Sequence, residues 1–184
     1  MSQVQRKPMT PGEFLTWESA QELKWEFDGF EPVAMTGGTQ AHSVVQTNLT
    51  TALTNQLRGK PCRVHGNDLK VRTGVGYRYP DASVSCTPFP INETVVAQPV
   101  VIFEVLSSST AETDKTVKLA EYLALPSVQR YVMLEQGHVF ATIVTRTATG
   151  WGLALAKQGD KLAMPEIGVE IAMDELYAGL ELPV

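Results

Sequence analysis

One apolar run with an acid set inside it constrains this chain more than any other stretch: Val100-Val101-Ile102-Phe103-Glu104-Val105-Leu106. Because the run is nearly continuous rather than alternating, residues 99–106 read as a short strand of the buried kind. Glu104 is the anomaly in it. An ionised carboxylate close to low-dielectric packing needs a cation or good hydrogen bonds. A structural ion pair meets that need, and so does a divalent metal shared with a second acid.

The flanking sequence supplies the rest of a mixed α/β sheet flanked by helices. Thr10-Pro11-Gly12-Glu13 starts a helix, with Thr as N-cap, Pro in the first helical position and Glu three residues after the cap. Phe14, Leu15 and Trp17 give that helix its apolar face. Residues 22–35 read as a hairpin around Asp28-Gly29, with Trp25 and Phe27 on one side and Lys24 and Glu26 on the other. Thr39 caps a second helix, whose Val45, Leu49, Ala52, Leu53 and Leu57 follow helical spacing; Gly59 and Pro61 end it. Residues 62–72 and 78–86 each read as one strand. Asp81, Ser83 and Ser85 share one face of the second, and Ala82, Val84 and Cys86 the other. Ser109-x-x-Glu112 predicts a capping box for the next helix, which Leu125-Pro126 closes. Residues 130–135, 139–146, 151–157 and 161–164 read as further strands, and Met173 to Ala178 as a short closing helix. No repeat, low-complexity tract or internal linker divides the chain, so residues 1–184 read as a single domain with a loose tail over residues 1–9.

Hydrophobic residues make up 43% and charged residues 19% of the 184 positions, the balance of an ordinary globular chain. The net charge of −5 argues against a strongly basic nucleic-acid-binding domain. It leaves a nuclease open, because carboxylates in a metal site add negative charge until the ion binds. The first residues lack the apolar core of a secretory signal, and no stretch approaches the ~18 apolar residues of a membrane span. The expectation is a cytoplasmic protein with no membrane partner. Cys62 and Cys86, the two cysteines, lack metal-ligand spacing; they read as reduced, packed thiols, with a disulfide as the alternative.

Asp81 lies in Tyr79-Pro80-Asp81-Ala82-Ser83-Val84, and Lys118 in Asp114-Lys115-Thr116-Val117-Lys118-Leu119-Ala120-Glu121-Tyr122. Two β-like runs thus carry one acid each, and the helix behind them carries a lysine. Phosphodiester hydrolysis needs a metal to neutralise the phosphate, an activated water and a stabilised leaving oxygen. Mg²⁺ prefers oxygen ligands and keeps several waters, so one or two carboxylates hold it. Asp81 and Glu104 on adjacent strands supply them, with the backbone carbonyl of Val105 as a third candidate ligand. Lys118 shares a helix face with Asp114 and with Tyr122. If that helix lies against the Glu104 strand, Lys118 reaches the site, to orient or deprotonate the water or to steady the transition state. Lys115 points elsewhere on the helix. The bland readings are an Asp81 that binds local backbone amides and a Lys118 paired with Asp114 at the surface.

With those residues in view, the chain resembles the Uma-two (Uma2) family of endonucleases, within the restriction-endonuclease-like PD-(D/E)XK superfamily. The likeness runs from Met9-Thr10-Pro11 to Glu175-Leu176-Tyr177-Ala178-Gly179. Its pieces are Lys24-Trp25-Glu26-Phe27, Met35-Thr36-Gly37-Gly38-Thr39 with His42, Tyr79-Pro80-Asp81, Glu104-Val105-Leu106-Ser107 and Lys118-Leu119-Ala120-Glu121-Tyr122. The resemblance implies a restriction-endonuclease-like core in which Asp81 is the first metal acid and Glu104 the second. The superfamily lysine normally stands two residues after that second acid, where this chain has Leu106; the resemblance implies that Lys118 on the helix replaces it. It also implies a further N-terminal acid at Glu26.

The activity so implied is Mg²⁺- or Mn²⁺-dependent hydrolysis of DNA, without an organic cofactor. A homodimer suits paired cuts on two strands. The chain departs from the family pattern at Ser108, where Pro is usual, and at Glu135, where Asp is usual. The Asp28-Gly29 turn near Glu26 is also shifted by one place. The alternative is a catalytically silent nuclease fold that binds protein or nucleic acid. Independently of that choice, Glu26 reads either as a site acid or as a hairpin-face partner of Lys24, and His42 reads as a partner of loop backbone rather than of metal. Ser107-Ser108-Ser109-Thr110 has no nucleophile elbow around it, and Gly37-Gly38 lacks the P-loop ending.

Overall fold

The structure, a computed structural model, describes residues 8–35, 37–107 and 114–182. Its centre is a six-stranded sheet in the order β11-β10-β9-β8-β6-β3. These strands are β3 (Arg63–Gly66), β6 (Ala82–Ser85), β8 (Pro99–Leu106), β9 (Arg130–Glu135), β10 (Phe140–Thr147) and β11 (Gly150–Lys157). The acid-bearing run is β8, and it is interior as its composition predicts: β6 pairs with it antiparallel on one edge and β9 parallel on the other.

Alternation along β8 divides the core. Val101, Phe103 and Val105 pack with Val45, Leu49 and Leu53 of the long helix α2 (Gln40–Leu57). Ile102 and Leu106 point the other way, toward Tyr122 and Tyr131. Glu104 has the parity of Ile102 and Leu106, so it emerges on the Tyr122 side. Burying a Leu or Phe side chain contributes roughly 1.5–3 kcal/mol, and fully buried Leu49, Leu53, Ile102 and Phe103 set the frame around the acid.

A second, five-stranded sheet runs in the order β2-β1-β5-β4-β7. It comprises β1 (Trp25–Phe27), β2 (Pro32–Ala34), β4 (Lys70–Arg72), β5 (Tyr77–Arg78) and β7 (Val95–Val96). Helix α1 (Pro11–Glu18) packs on it through Phe14, whose ring stacks on Phe27 at 4.9 Å. Its start carries the expected capping box: Thr10 N donates to Glu13 Oε2 at 2.7 Å and Glu13 N to Thr10 Oγ1 at 3.2 Å. Gly76 must be glycine, since a Cβ there would stand 1.9 Å from the Phe27 carbonyl oxygen where β1 and β5 cross. A two-stranded ribbon of β12 (Lys161–Met164) and β13 (Val169–Ala172) leads into α4 (Met173–Leu176).

Several expectations change. The run 62–72 is two strands in different sheets, β3 and β4, because Gly66-Asn67-Asp68 turns the chain between them. The run 78–86 is likewise split into β5 and β6 at Tyr79-Pro80-Asp81, where Pro80 has no N–H to give a ladder. Phe27 pairs with Pro32, so the hairpin loop is longer than two residues; Asp28 Oδ1 accepts from Phe30 N and Glu31 N, both at 2.8 Å. Met9 is not loose: its N–H donates to Phe30 O at 3.2 Å. The rest of the expected tail, residues 1–7, lies outside the described residues.

Cys62 and Cys86 form a disulfide rather than two thiols. The register explains it: Arg63 pairs with Ser85, so the next residues outward face one another. The Ser109–Glu112 capping box lies outside the described residues. The helix that follows opens with a π-helical turn, Asp114–Lys118, and continues as α3 (Leu119–Leu123). Among the described residues no helix is long and apolar enough to cross a membrane.

Candidate functional site

The two sheets and the N-terminus of α2 surround a cleft of about 870 Å³. Asp81, Glu104, Val105, Lys118, Glu26 and His42 all line it. Every residue singled out for chemistry in the sequence therefore reaches one space.

Strand register brings Asp81 close to the Glu104 segment. Ala82 pairs with Phe103, and Asp81 stands just before β6, next to that end of β8. The Asp81 side chain then turns to the neighbouring backbone: Val105 N donates to Asp81 Oδ2 at 2.7 Å. Helix α2 grips the same carboxylate. His42 Nε2 stands 3.2 Å from Oδ2, and Gln46 Nε2 donates to Oδ1 at 3.2 Å and to the Asp81 carbonyl at 3.0 Å. His42 and Gln46 are one helical turn apart, which puts both on the cleft face of α2. His42 thus faces the first acid rather than loop backbone alone.

Glu104 is 3% exposed. Its Oε1 accepts from Lys118 Nζ at 3.3 Å and from Tyr122 Oη at 3.1 Å. Lys118 and Tyr122 are one turn apart and share a face, as their spacing predicts. Burial, and after it the charge of Glu104, pushes the Tyr122 phenol well above its usual pKa. It therefore stays protonated and donates. Lys115 is turned away and pairs with Glu135 at 2.8 Å.

Glu26 joins the site and does not pair with Lys24, which reaches Asp68 at 2.6 Å instead. Glu26 Oε1 lies 3.0 Å from Lys118 Nζ and accepts from Tyr79 N at 3.1 Å. Its Oε2 lies 3.3 Å from Arg78 Nη1. Arg78 also grips Glu121 with two donors, Nε and Nη2, each at 2.7 Å. Burial works against the Arg78 charge, but the hydrogen bond to Glu121 and the charges of Glu26 and Glu121 outweigh it and raise its pKa above the usual guanidinium value.

Sequence reasoning missed Gln46, Arg78 and Glu121. Gln46 carried a signal, its one-turn offset from His42. Glu121 stood inside the Lys118-Leu119-Ala120-Glu121-Tyr122 piece without a role of its own, and Arg78 carried no signal; the two meet only where β5 comes against α3.

Among the described residues of this cluster, Arg78 pairs with Glu26 and Glu121 and Lys118 with Glu26 and Glu104, while Asp81 lines the same cleft. No group of three or more His, Cys, Asp or Glu side chains among the described residues is arranged to hold a metal on its own. Mg²⁺ does not require one, because it keeps most of its waters and accepts one or two carboxylates. The all-oxygen pair of Asp81 and Glu104 fits such a hard ion.

Comparisons with known proteins bear on the family and the fold. The family model Uma2, described as "Putative restriction endonuclease", matches residues 11–174. An uncharacterized protein of Synechocystis sp. is 32% identical over 176 residues, covering 94% of this chain and 93% of that one. A second from the same organism is 29% identical over 135 residues, covering 71% and 76%. The crystal structure of a "putative nuclease" from Anabaena variabilis superposes with a TM-score of 0.77, covering 93% of this chain and 98% of that one, at 16% identity. At that identity the superposition establishes the fold alone, a mixed α+β architecture.

Proposed function

The chain belongs to the Uma2 family, and on that premise we propose that its cleft hydrolyses DNA phosphodiester bonds with the help of Mg²⁺ or Mn²⁺. One observation carries the reading: Val105 N fixes Asp81 Oδ2 at 2.7 Å, beside a Glu104 that already has Lys118 at 3.3 Å. Two acids and an ammonium thus share one wall of the cleft. Asp81 and Glu104 would hold the ion, with the Val105 carbonyl as a third ligand. When bound, the ion supplies charge neutralisation at the phosphate and makes water easier to deprotonate.

The protein's own groups do the rest. His42, Gln46 and the Val105 amide hold Asp81 in one orientation, so the first acid needs no reorganisation. Lys118 places positive charge beside Glu104, where it can orient the attacking water and offset charge that builds on the phosphoryl oxygens. Glu26 anchors that ammonium. Tyr122 donates its hydroxyl to Glu104 and so helps to orient that carboxylate.

The test is cleavage of plasmid and oligonucleotide DNA by purified protein with Mn²⁺, Mg²⁺ or chelator. Asp81→Asn and Glu104→Gln each remove cleavage while thermal melts show a folded protein. Cleavage by both variants at the wild-type rate contradicts the assignment.

A second reading is a nuclease fold used only for binding. It is favoured by the pairing of Lys24, Arg78 and Lys118, the lysines and arginine that line the cleft, with carboxylates. Calorimetry separates the two: no Mn²⁺ heat at millimolar concentration supports the binding module, and heat lost in Asp81→Asn supports the nuclease.

A further inference from the structure

Arg78 is 3% exposed and touches neither candidate metal acid in any contact described above, yet it lies at the base of the cleft. Its guanidinium plane serves two carboxylates at once. Nε and Nη2 form a side-on fork on Glu121, and Nη1 reaches Glu26 Oε2 at 3.3 Å. Only a planar, multi-donor cation offers that pattern; a lysine at the same place is a single point charge. The consequence falls on Glu26. With Oε2 turned toward Arg78, the Glu26 carboxylate presents Oε1 to Lys118 at 3.0 Å. The same ammonium keeps its 3.3 Å contact with Glu104.

We propose that Arg78 is a positioning residue for Lys118: by clamping Glu121 and one oxygen of Glu26, it holds the Lys118 ammonium shared between Glu26 and Glu104. This rests on the reading of Lys118 as the group that assists hydrolysis. Without the clamp, Glu26 carries an uncompensated charge in a buried setting and draws Lys118 toward itself, away from Glu104. Glu121, on α3, loses its cation and no longer ties the helix that carries Lys118 to the β1–β5 pair. The π-helical turn ending at Lys118 makes this tie more important, since its hydrogen-bond ladder is the irregular part of the helix.

The experiment compares wild type, Arg78→Gln, Arg78→Lys and Glu121→Gln in the full chain. Three quantities are read: kcat and KM for Mn²⁺-dependent DNA cleavage, Mn²⁺ affinity by calorimetry, and crystal structures of the variants. For Arg78→Gln the expected result is a fall in kcat of at least thirtyfold, with KM and the Mn²⁺ Kd within threefold of wild type. Arg78→Lys recovers little of it, and Glu121→Gln costs three- to tenfold. In the Arg78→Gln crystal, Lys118 Nζ lies more than 4 Å from Glu104. A wild-type kcat in both Arg78 variants overturns the proposal, as does an equal loss of kcat and Mn²⁺ affinity. If Arg78→Gln does not fold, Glu121→Gln decides: wild-type kcat there overturns the proposal. If wild type cleaves no DNA, the nuclease reading fails by itself, and the crystals still decide whether Arg78 positions Lys118. Lys118 found on both Glu26 and Glu104 in Arg78→Gln then overturns it.

Discussion

The backbone N–H of Val105 donates to Asp81 Oδ2 at 2.7 Å, so the residue that follows the second acid holds the first in place. The two carboxylates are thereby coupled through β8 itself rather than through a flexible loop. His42 and Gln46 add their grip from α2 on the opposite side.

That arrangement makes His42 and Gln46 supports of a candidate metal ligand. Residues that orient a ligand typically change metal affinity by about 10–100-fold when removed. His42→Ala and Gln46→Ala are each expected to weaken Mn²⁺ binding within that range without unfolding the protein. Calorimetric titration of each variant checks it, and an unchanged Kd in both removes α2 from the site.

Lys118 stands between two buried carboxylates, Glu26 at 3.0 Å and Glu104 at 3.3 Å. Lys118→Met leaves them facing one another without that cation. Breaking a buried pair by deleting one partner costs about 3–5 kcal/mol, and urea unfolding of the variant is expected to show a loss of that order. Millimolar Mg²⁺ should restore part of it, since a bound divalent ion replaces the missing charge and stabilises only the folded state. A loss that Mg²⁺ does not touch places the ion elsewhere.

Alkaline pH should destabilise the fold. Burial is the first cause that raises the phenols of Tyr79, Tyr122 and Tyr177, and it pushes Tyr177 up to about 12. Each phenol holds its proton more tightly folded than unfolded. Their contribution is therefore complete below the ordinary tyrosine value of 10.0 and is lost as pH rises through the folded values. Melting temperatures measured from pH 8 to 11.5 on the order of half-unit steps should fall above pH 10, and Tyr177→Phe should flatten the fall. A flat profile for wild type contradicts the burial of these groups.

The Cys62–Cys86 bridge spans 24 positions of sequence. Closing a loop of that size restricts the unfolded chain by roughly 3 kcal/mol. Adding a reductant should lower the urea midpoint of wild type and leave Cys62→Ser unmoved. Equal midpoints for wild type with and without reductant indicate that the bond contributes nothing.

Much of this was legible in the chain because single elements carry it. The apolar run of β8, the Thr10 and Thr39 caps and the helical spacing of Val45, Leu49, Ala52, Leu53 and Leu57 are local patterns. Local patterns survive packing. Asp81, Glu104 and Lys118 stood out because a charge inside or beside such patterns needs an explanation. What escaped depends on contacts between distant segments. The division of residues 62–72 and 78–86 between two sheets places Asp81 just before β6, and β-propensity is the same on either side of each break. The disulfide follows from the β3–β6 register, and Arg78 finds Glu121 only when β5 meets α3. The ribbon strand β13 was hidden because its pairing with β12 turns on Gly168, whose φ of +64° a sequence pattern does not announce.

The central claim is that Asp81 and Glu104 share one divalent ion. A crystal soaked in Mn²⁺ and measured for anomalous scattering tests it most directly. A single peak within bonding distance of both carboxylates, absent from an Asp81→Asn crystal, is the predicted result. No peak between them at saturating Mn²⁺, or a peak held by other residues with DNA cleavage intact, contradicts it.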